Sequence, residues 1–150
     1  MEIRKLLRDE QLPMDLLLLA DPSREMVEEY VANGQCYVAE LDGIIVGVYV
    51  LAKLDAKTLE IMNVAVEESM HGRGIGKKLI VDAIQTAQEL GYMAIEIGTG
   101  NSSIGQLALY QKCGFRIEGV IQDFFVDHYK EPIFENGIQC RDMIRLSREI

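Results

Sequence analysis

The stretch Val64-Ala65-Val66-Glu67-Glu68-Ser69-Met70-His71-Gly72-Arg73-Gly74-Ile75-Gly76-Lys77-Lys78-Leu79-Ile80 decides how the chain is read. It runs from a β-branched segment, through a turn with alternating glycines, into apolar residues at helical spacing. Alternating glycines let successive backbone N–H groups converge, and the helix start adds the positive end of its dipole. A phosphate fits such a site without a dedicated side chain. Arg73, Lys77 and Lys78 add local positive charge to a chain whose net charge is −9. A glycine turn that merely joins strand to helix is the plain alternative. Two nucleotide patterns fail. The Rossmann fingerprint needs glycine where Lys77 stands. The Walker A loop needs four residues between its glycines and a hydroxyl where Lys78 stands.

Outward from this turn, Leu59 to Val66 reads as a mostly buried strand. Gly74 to Leu90 reads as a helix, with Ile75, Leu79, Ile80, Ala83, Ile84, Ala87 and Leu90 forming one apolar stripe. Tyr92 to Ile97 is a strand, and Ser102 to Cys113 a helix stopped at Gly114. Upstream, Met1 to Leu7 alternates like an edge strand. Glu10 to Ala20 and Ser23 to Asn33 read as helices, the second capped by Asp21 or Ser23. Cys36 to Leu41 and Ile44 to Leu54 flank Asp42-Gly43, a strong hairpin signal. Strand signals return from Phe115, interrupted by an irregular stretch from Asp127 to Gly137. This order predicts an α+β (mixed α/β), three-layer domain over residues 1–150. A central, mixed, mostly antiparallel sheet is flanked by helices.

Composition narrows the function. The chain has 150 residues, 49% hydrophobic and 26% charged, with 13 glycines and 3 prolines. These are ordinary values for one globular domain. Cys36, Cys113 and Cys140 form no CxxC, which fits a reducing cytoplasm. No apolar leader opens the sequence and no apolar run approaches a bilayer span, so neither secretion nor membrane insertion is expected. The acidic balance argues against a nucleic-acid or anionic-membrane binder. His71 and His128 have no metal-ligand spacing, so no metal site is expected.

Two motifs together carry a family resemblance. His71-Gly72-Arg73-Gly74-Ile75-Gly76, after Val64-Ala65-Val66, resembles the Gln/Arg-x-x-Gly-x-Gly/Ala motif of the GNAT superfamily of N-acetyltransferases. Ala108-Leu109-Tyr110-Gln111-Lys112-Cys113-Gly114-Phe115 resembles that family's second signature, with the alanine displaced. The resemblance covers nearly the whole chain and implies acetyl-CoA as cosubstrate. It assigns acetyl-CoA binding to Val64, Ala65 and Val66, to His71, Gly72, Arg73, Gly74, Ile75, Gly76, Lys77 and Lys78, and to Asn101, Ser103 and Tyr110. Backbone N–H groups from Arg73 to Lys77 would hold the pyrophosphate, and pantetheine would lie along the strand ending at Val66. A main-chain N–H near Val64 would face the thioester oxygen. His71 stands where the family prefers Gln or Arg, and Ser103 where it often has Asn. Asn101 serves either as a helix cap or as a coenzyme contact.

The resemblance also implies chemistry. Tyr110 would give a proton to the leaving thiolate, unless it is only a half-buried aromatic. Glu60 interrupts an apolar strand; burial there would raise its pKa and suit a general base. Period-two alternation equally allows it to face solvent. Glu96 is a second candidate. An acetyl-Cys113 intermediate lacks a partnering histidine, and an inert buried thiol is the commoner fate. Leu12 to Asn33 and Asp123 to Gly137 would line the acceptor groove. The second segment carries Phe124, Phe125, Tyr129 and Phe134 beside Asp123, Asp127, Glu131 and Glu135. Such walls suit a cationic amine, and equally suit packing with solvated acids. The expectation is a cytoplasmic acetyl-CoA-dependent N-acetyltransferase acting on a small-molecule primary amine by direct attack in a ternary complex. A protein or peptide amine as acceptor, and a non-catalytic acyl-CoA sensor, are the alternatives. A homodimer is expected from the resemblance.

Overall fold

The computed structural model describes residues 1–150. In chain order the elements are β1 (Glu2–Lys5), α1 (Met14–Ala20), α2 (Arg24–Asn33), β2 (Gln35–Leu41), β3 (Ile44–Lys53) and β4 (Thr58–Val66). Then come α3 (Ile75–Glu89), β5 (Ala94–Gly100), α4 (Ile104–Lys112), β6 (Arg116–Ile121), α5 (Phe124–His128), β7 (Ile133–Glu135), β8 (Ile138–Cys140) and β9 (Met143–Glu149). One seven-stranded sheet has the order β1-β2-β3-β4-β5-β9-β6, and β7 and β8 form a separate hairpin. Only β4 and β5 are parallel, joined by the α3 crossover. The mixed, mostly antiparallel sheet expected from the sequence is therefore present.

The sheet carries a core on each face. On one side α3 packs Leu79, Ile80 and Ala83 against Leu51, Ile61, Ile95, Ile97 and Leu146, joined by Tyr110 and Phe115. On the other, Leu16, Leu17 and Val27 of α1 and α2 meet Val38, Val48 and Val50. The Asp42-Gly43 turn has both φ values positive (52° and 79°), the condition for a tight hairpin with the right strand twist. No helix is long and apolar enough to cross a membrane.

Two features of β4 position the site. Its ladder with β5 covers only Thr58–Ile61 against Ala94–Ile97, after which the strands part. On the β3 side, Val50 pairs with Asn63 and Leu51 with Ile61, so Met62 is an extra residue. This bulge reverses which face each later residue serves. Leu59 and Ile61 face α3 before it; Val64 and Val66 do so after it, while Asn63 and Ala65 turn toward α1.

The structure corrects two elements. The first helix begins at Met14, not Glu10, with Pro13 at its N-cap position. Proline disfavours helical backbone in the residue before it, so Leu12 cannot extend the helix. Glu10 instead pairs with Arg4 at 2.6 Å. The stretch taken as irregular, Asp127 to Gly137, holds the end of α5, all of β7 and the Asn136-Gly137 turn into β8, whose φ values are again both positive (55° and 72°).

Gly34, after α2, permits a close backbone approach: a Cβ there would collide with the Leu51 carbonyl oxygen and lie 2.8 Å from that of Tyr30. Both obstacles are main chain. Gly34→Ala is therefore expected to lower stability by about 1–3 kcal/mol, read from denaturant unfolding, because neither strand nor helix end can yield cheaply.

Candidate active site

The glycine turn behaves as a backbone cradle. Gly72 and Gly74 have φ of 80° and 78°, and Gly74 is the N-cap of α3 without any side-chain cap. The first N–H of this helix to reach a main-chain acceptor is that of Lys78, bonded to Gly74 O at 3.1 Å. The N–H groups of Gly72 through Lys77 bond to no group of the protein. Consecutive free N–H groups at a helix start form an anion site. Gly76 differs: a Cβ there would meet Leu109 and Val66 at ordinary contact distances of 3.5 and 3.9 Å.

A cavity of about 550 Å³ leads from this turn along β4, between Val64–Val66 and Gly105, Gln106, Leu109 and Tyr110 of α4. The main chain of β4 is polarised toward it. Glu67 N–H bonds to Val46 O of β3 at 2.8 Å. N–H and C=O of one strand residue point the same way and alternate along the strand. Val64 and Val66 therefore turn theirs away from β3 and into the gap left by β5. Ala65 directs its main chain to β3 and contributes only its small side chain. The Val66 carbonyl accepts from His71 Nε2 at 2.9 Å, which fixes that nitrogen as the protonated one and ties the turn to the strand.

Tyr110 of α4 is 4% exposed and borders this cavity, yet its hydroxyl bonds to no protein group. Burial pushes its phenol well above the usual tyrosine range, so it stays protonated and able to donate. A second cavity, of about 370 Å³, shares Leu19, Ala20, Val64, Gln106 and Tyr110 with the first. It fills the gap between β4 and β5 and is walled by Leu18–Pro22, Phe125, Tyr129, Ile133 and Glu135. Tyr129 hydroxyl donates to Asp21 Oδ1 at 2.8 Å, joining the α1–α2 turn to α5 across the cavity.

The sequence-predicted residues divide accordingly. Val64, Ala65, Val66, His71, Gly72, Gly74, Ile75, Gly76, Lys77 and Tyr110 line the first cavity. Arg73 and Lys78 are exposed and line neither. Ser103 lines the second cavity, donating to Glu135 at 2.9 Å. Asn101 lines neither: its side chain holds Gln139 O and the N–H groups of Arg141 and Asp142.

Glu60 is corrected. It lines neither cavity and is bonded at 2.8 Å to Arg145, which also holds Glu96 at 3.0 Å. Its environment is a guanidinium from β9, not an apolar pocket beside the thioester. Cys113 packs in the α3 core. Cys140 does reach the second cavity, but burial pushes its thiol up and the neighbouring Glu135 and Asp142 charges push it further.

Sequence reasoning did not single out Asn63 or Gln106 as cavity residues; Leu19, Ala20 and Asp21 fall within the Leu12 to Asn33 segment expected to line the acceptor groove, and they line the second cavity. Of the tail acids only Glu135 lines a cavity; Asp123 pairs with Arg141 at 2.7 Å. Of the tail aromatics Phe125 and Tyr129 line it, while Phe134 is 65% exposed.

Comparison with known proteins agrees with this geometry. Residues 2–115 match the model of the Acetyltransferase (GNAT) family. The "Uncharacterized N-acetyltransferase YvbK" of Bacillus subtilis (strain 168) is 61% identical over 88% of this chain and 85% of its own. The crystal structure of a GNAT family acetyltransferase from Elizabethkingia anophelis, with acetyl-CoA bound, superposes with a TM-score of 0.98 at 48% identity, over 99% of this chain and 97% of that one. An IAA acetyltransferase from Bacillus cereus ATCC 14579 superposes with a TM-score of 0.96 at 53% identity, over 99% of both chains. The chain belongs to the GNAT family and is an N-acetyltransferase that uses acetyl-CoA.

Proposed function

We propose that the protein moves the acetyl group of acetyl-CoA to the primary amine of a small molecule, by direct attack in a ternary complex. The observation that carries this reading is the meeting of two cavities at Val64 and Tyr110. One presents the phosphate cradle and the outward main chain of β4. The other, of about 370 Å³, has Asp21 and Tyr129 joined by a hydrogen bond in its wall, and its size suits a compact acceptor better than a peptide. Three free, buried cysteines support a cytoplasmic setting. Resemblance alone supports a homodimer.

The chemistry follows from placement. The free N–H groups of Gly72 to Lys77 take the pyrophosphate, with Lys77 adding charge. The Val64 N–H polarises the thioester carbonyl as negative charge develops on its oxygen. The amine lone pair bonds to the carbonyl carbon, the C–S bond breaks, and the thiolate takes the Tyr110 proton. The amine releases its own proton to water, and water returns a proton to the Tyr110 phenolate, so the phenol is restored at the end of the cycle. Glu60, held by Arg145, has no part in this scheme. No cysteine carries the acetyl group: Cys113 packs in the α3 core, and burial with neighbouring carboxylates holds the Cys140 thiol above its ordinary range.

Three substitutions test the assignment. Gly74→Val forces a β-branched residue into left-handed backbone with no steric conflict around it. It should weaken acetyl-CoA binding by about tenfold or more in calorimetry, with the fold retained. Tyr110→Phe should lower kcat by about a hundredfold or more while acetyl-CoA affinity holds; an unchanged kcat removes Tyr110 from the reaction. Glu60→Gln should leave kcat within about twofold. Its cost should appear as about 1 kcal/mol of stability, through the weakened pair with Arg145.

A further inference from the structure

The second cavity has an unbalanced set of polar groups. Asp21 and Glu135 both line it, and no lysine, arginine or histidine does. Neither carboxylate belongs to any of the protein's ion pairs. Asp21 is 9% exposed and is held by neutral donors alone: the hydroxyls of Tyr30 at 3.1 Å and Tyr129 at 2.8 Å, and the Ser23 N–H at 3.1 Å. Glu135 accepts only from the hydroxyls of Ser102 and Ser103, at 3.3 and 2.9 Å. Two carboxylates thus share an apolar-walled space with no counter-charge from the protein. Their field is felt locally: after burial itself, the Asp21 charge raises the Tyr129 phenol, and Glu135 contributes to raising Cys140.

A second observation is independent of charge. Asn63, on the wall of the same cavity, is 4% exposed, and its Oδ1 is the single buried side-chain polar atom with no partner. Its orientation is fixed. Nδ2 donates to Leu17 O at 2.9 Å, an atom that only accepts, and to the Tyr30 hydroxyl at 2.9 Å, whose own proton goes to Asp21. Reversing the amide would set two acceptors against each other. The unpaired atom is therefore an acceptor, and a buried acceptor without a donor is costly unless a ligand supplies one.

We propose that the second cavity selects a compact diamine: one amino group is acetylated at the Val64–Tyr110 wall, and the other enters as an ammonium matched by Asp21, Glu135 and Asn63 Oδ1. This rests on the acetyl-transfer reading above and narrows it to a substrate class. The apolar wall, with Leu18, Ile61, Ile97 and Ile133, suits the methylene spacer. A carboxylate in place of the second ammonium would face two like charges across a low-dielectric space and be rejected.

The test measures free CoA release with three matched acceptors: butane-1,4-diamine, butylamine and 4-aminobutanoate. The diamine should exceed butylamine in kcat/KM by about tenfold or more, with 4-aminobutanoate the poorest. Glu135→Gln should reduce the diamine-to-butylamine ratio by about tenfold, and Asp21→Asn should do the same. The acetyl-CoA Kd and Tm of each variant show whether the fold is intact. Glu135 lies in the peripheral β7–β8 hairpin, so its variant tests the proposal even if Asp21→Asn does not fold. Butylamine or 4-aminobutanoate turning over as well as the diamine, or a ratio unmoved in Glu135→Gln, overturns the proposal and leaves acetyl transfer standing. Binding of acetyl-CoA with no turnover of any amine overturns the proposed function itself, and the substrate class with it.

Discussion

The parting of β4 from β5 is the constraint on which the rest of the site depends. Four residue pairs hold the two strands together, and beyond Ile61 and Ile97 the ladder ends. A central strand cannot leave its main-chain groups unmatched in a dry interior. Here the N–H groups of Val64 and Val66 and the C=O of Val64 border cavities, while the Val66 C=O is held by His71, so a ligand that supplies an added strand's hydrogen bonds would complete the sheet. The Met62 bulge makes this compatible with a packed core. It returns Val64 and Val66 to the α3 side and sends Asn63 toward α1. One extra residue thus sets both which main-chain groups of β4 face the first cavity and which way Asn63 turns.

Electrostatics is divided along the same seam. In a chain of net charge −9, the proposed phosphate site offers its attraction locally, through unpaired N–H groups and a helix start, with Lys77 beside them. The acidic balance reappears on the other side of Tyr110, where Asp21 and Glu135 stand without cations. Tyr110 sits between these regions, buried and protonated, and neither neighbouring charge ionises it.

Much of this was legible in the sequence where one residue type answers one backbone demand. The alternating glycines announced a turn where backbone N–H groups converge, and Asp42-Gly43 announced a hairpin; Gly72 and Gly74 have positive φ, and the hairpin turn appears at Asp42-Gly43. Asn136-Gly137 carried the same hairpin signal, but the strands around it are three residues each and show no alternation long enough to read. Tyr110 was found through its motif. The pairing of Glu60 with Arg145 was not legible because that partner is 85 residues away, and nothing local in the strand announces it. Asn63 was invisible for a related reason. Its meaning depends on Leu17, Tyr30 and Asp21, which the bulge and the α1–α2 turn bring together only in three dimensions.

The position of β9 bears on how the molecule is made. It follows β6 in sequence yet lies inside it, between β5 and β6. During synthesis, then, β5 emerges as an edge with its outer ladder unfilled, and stays so while α4, β6 and the β7–β8 hairpin are added. β6 meanwhile has no neighbour to pair with. Residues Ile117, Val120 and Ile121 of β6 are 54%, 54% and 44% exposed even in the finished fold, so the waiting strand offers an apolar, unpaired template to other nascent chains. The same arrangement means that Arg145 arrives long after Glu60 and Glu96. Those two carboxylates spend the interval without their cation, and closure of the sheet and neutralisation of its acidic centre occur as one late event.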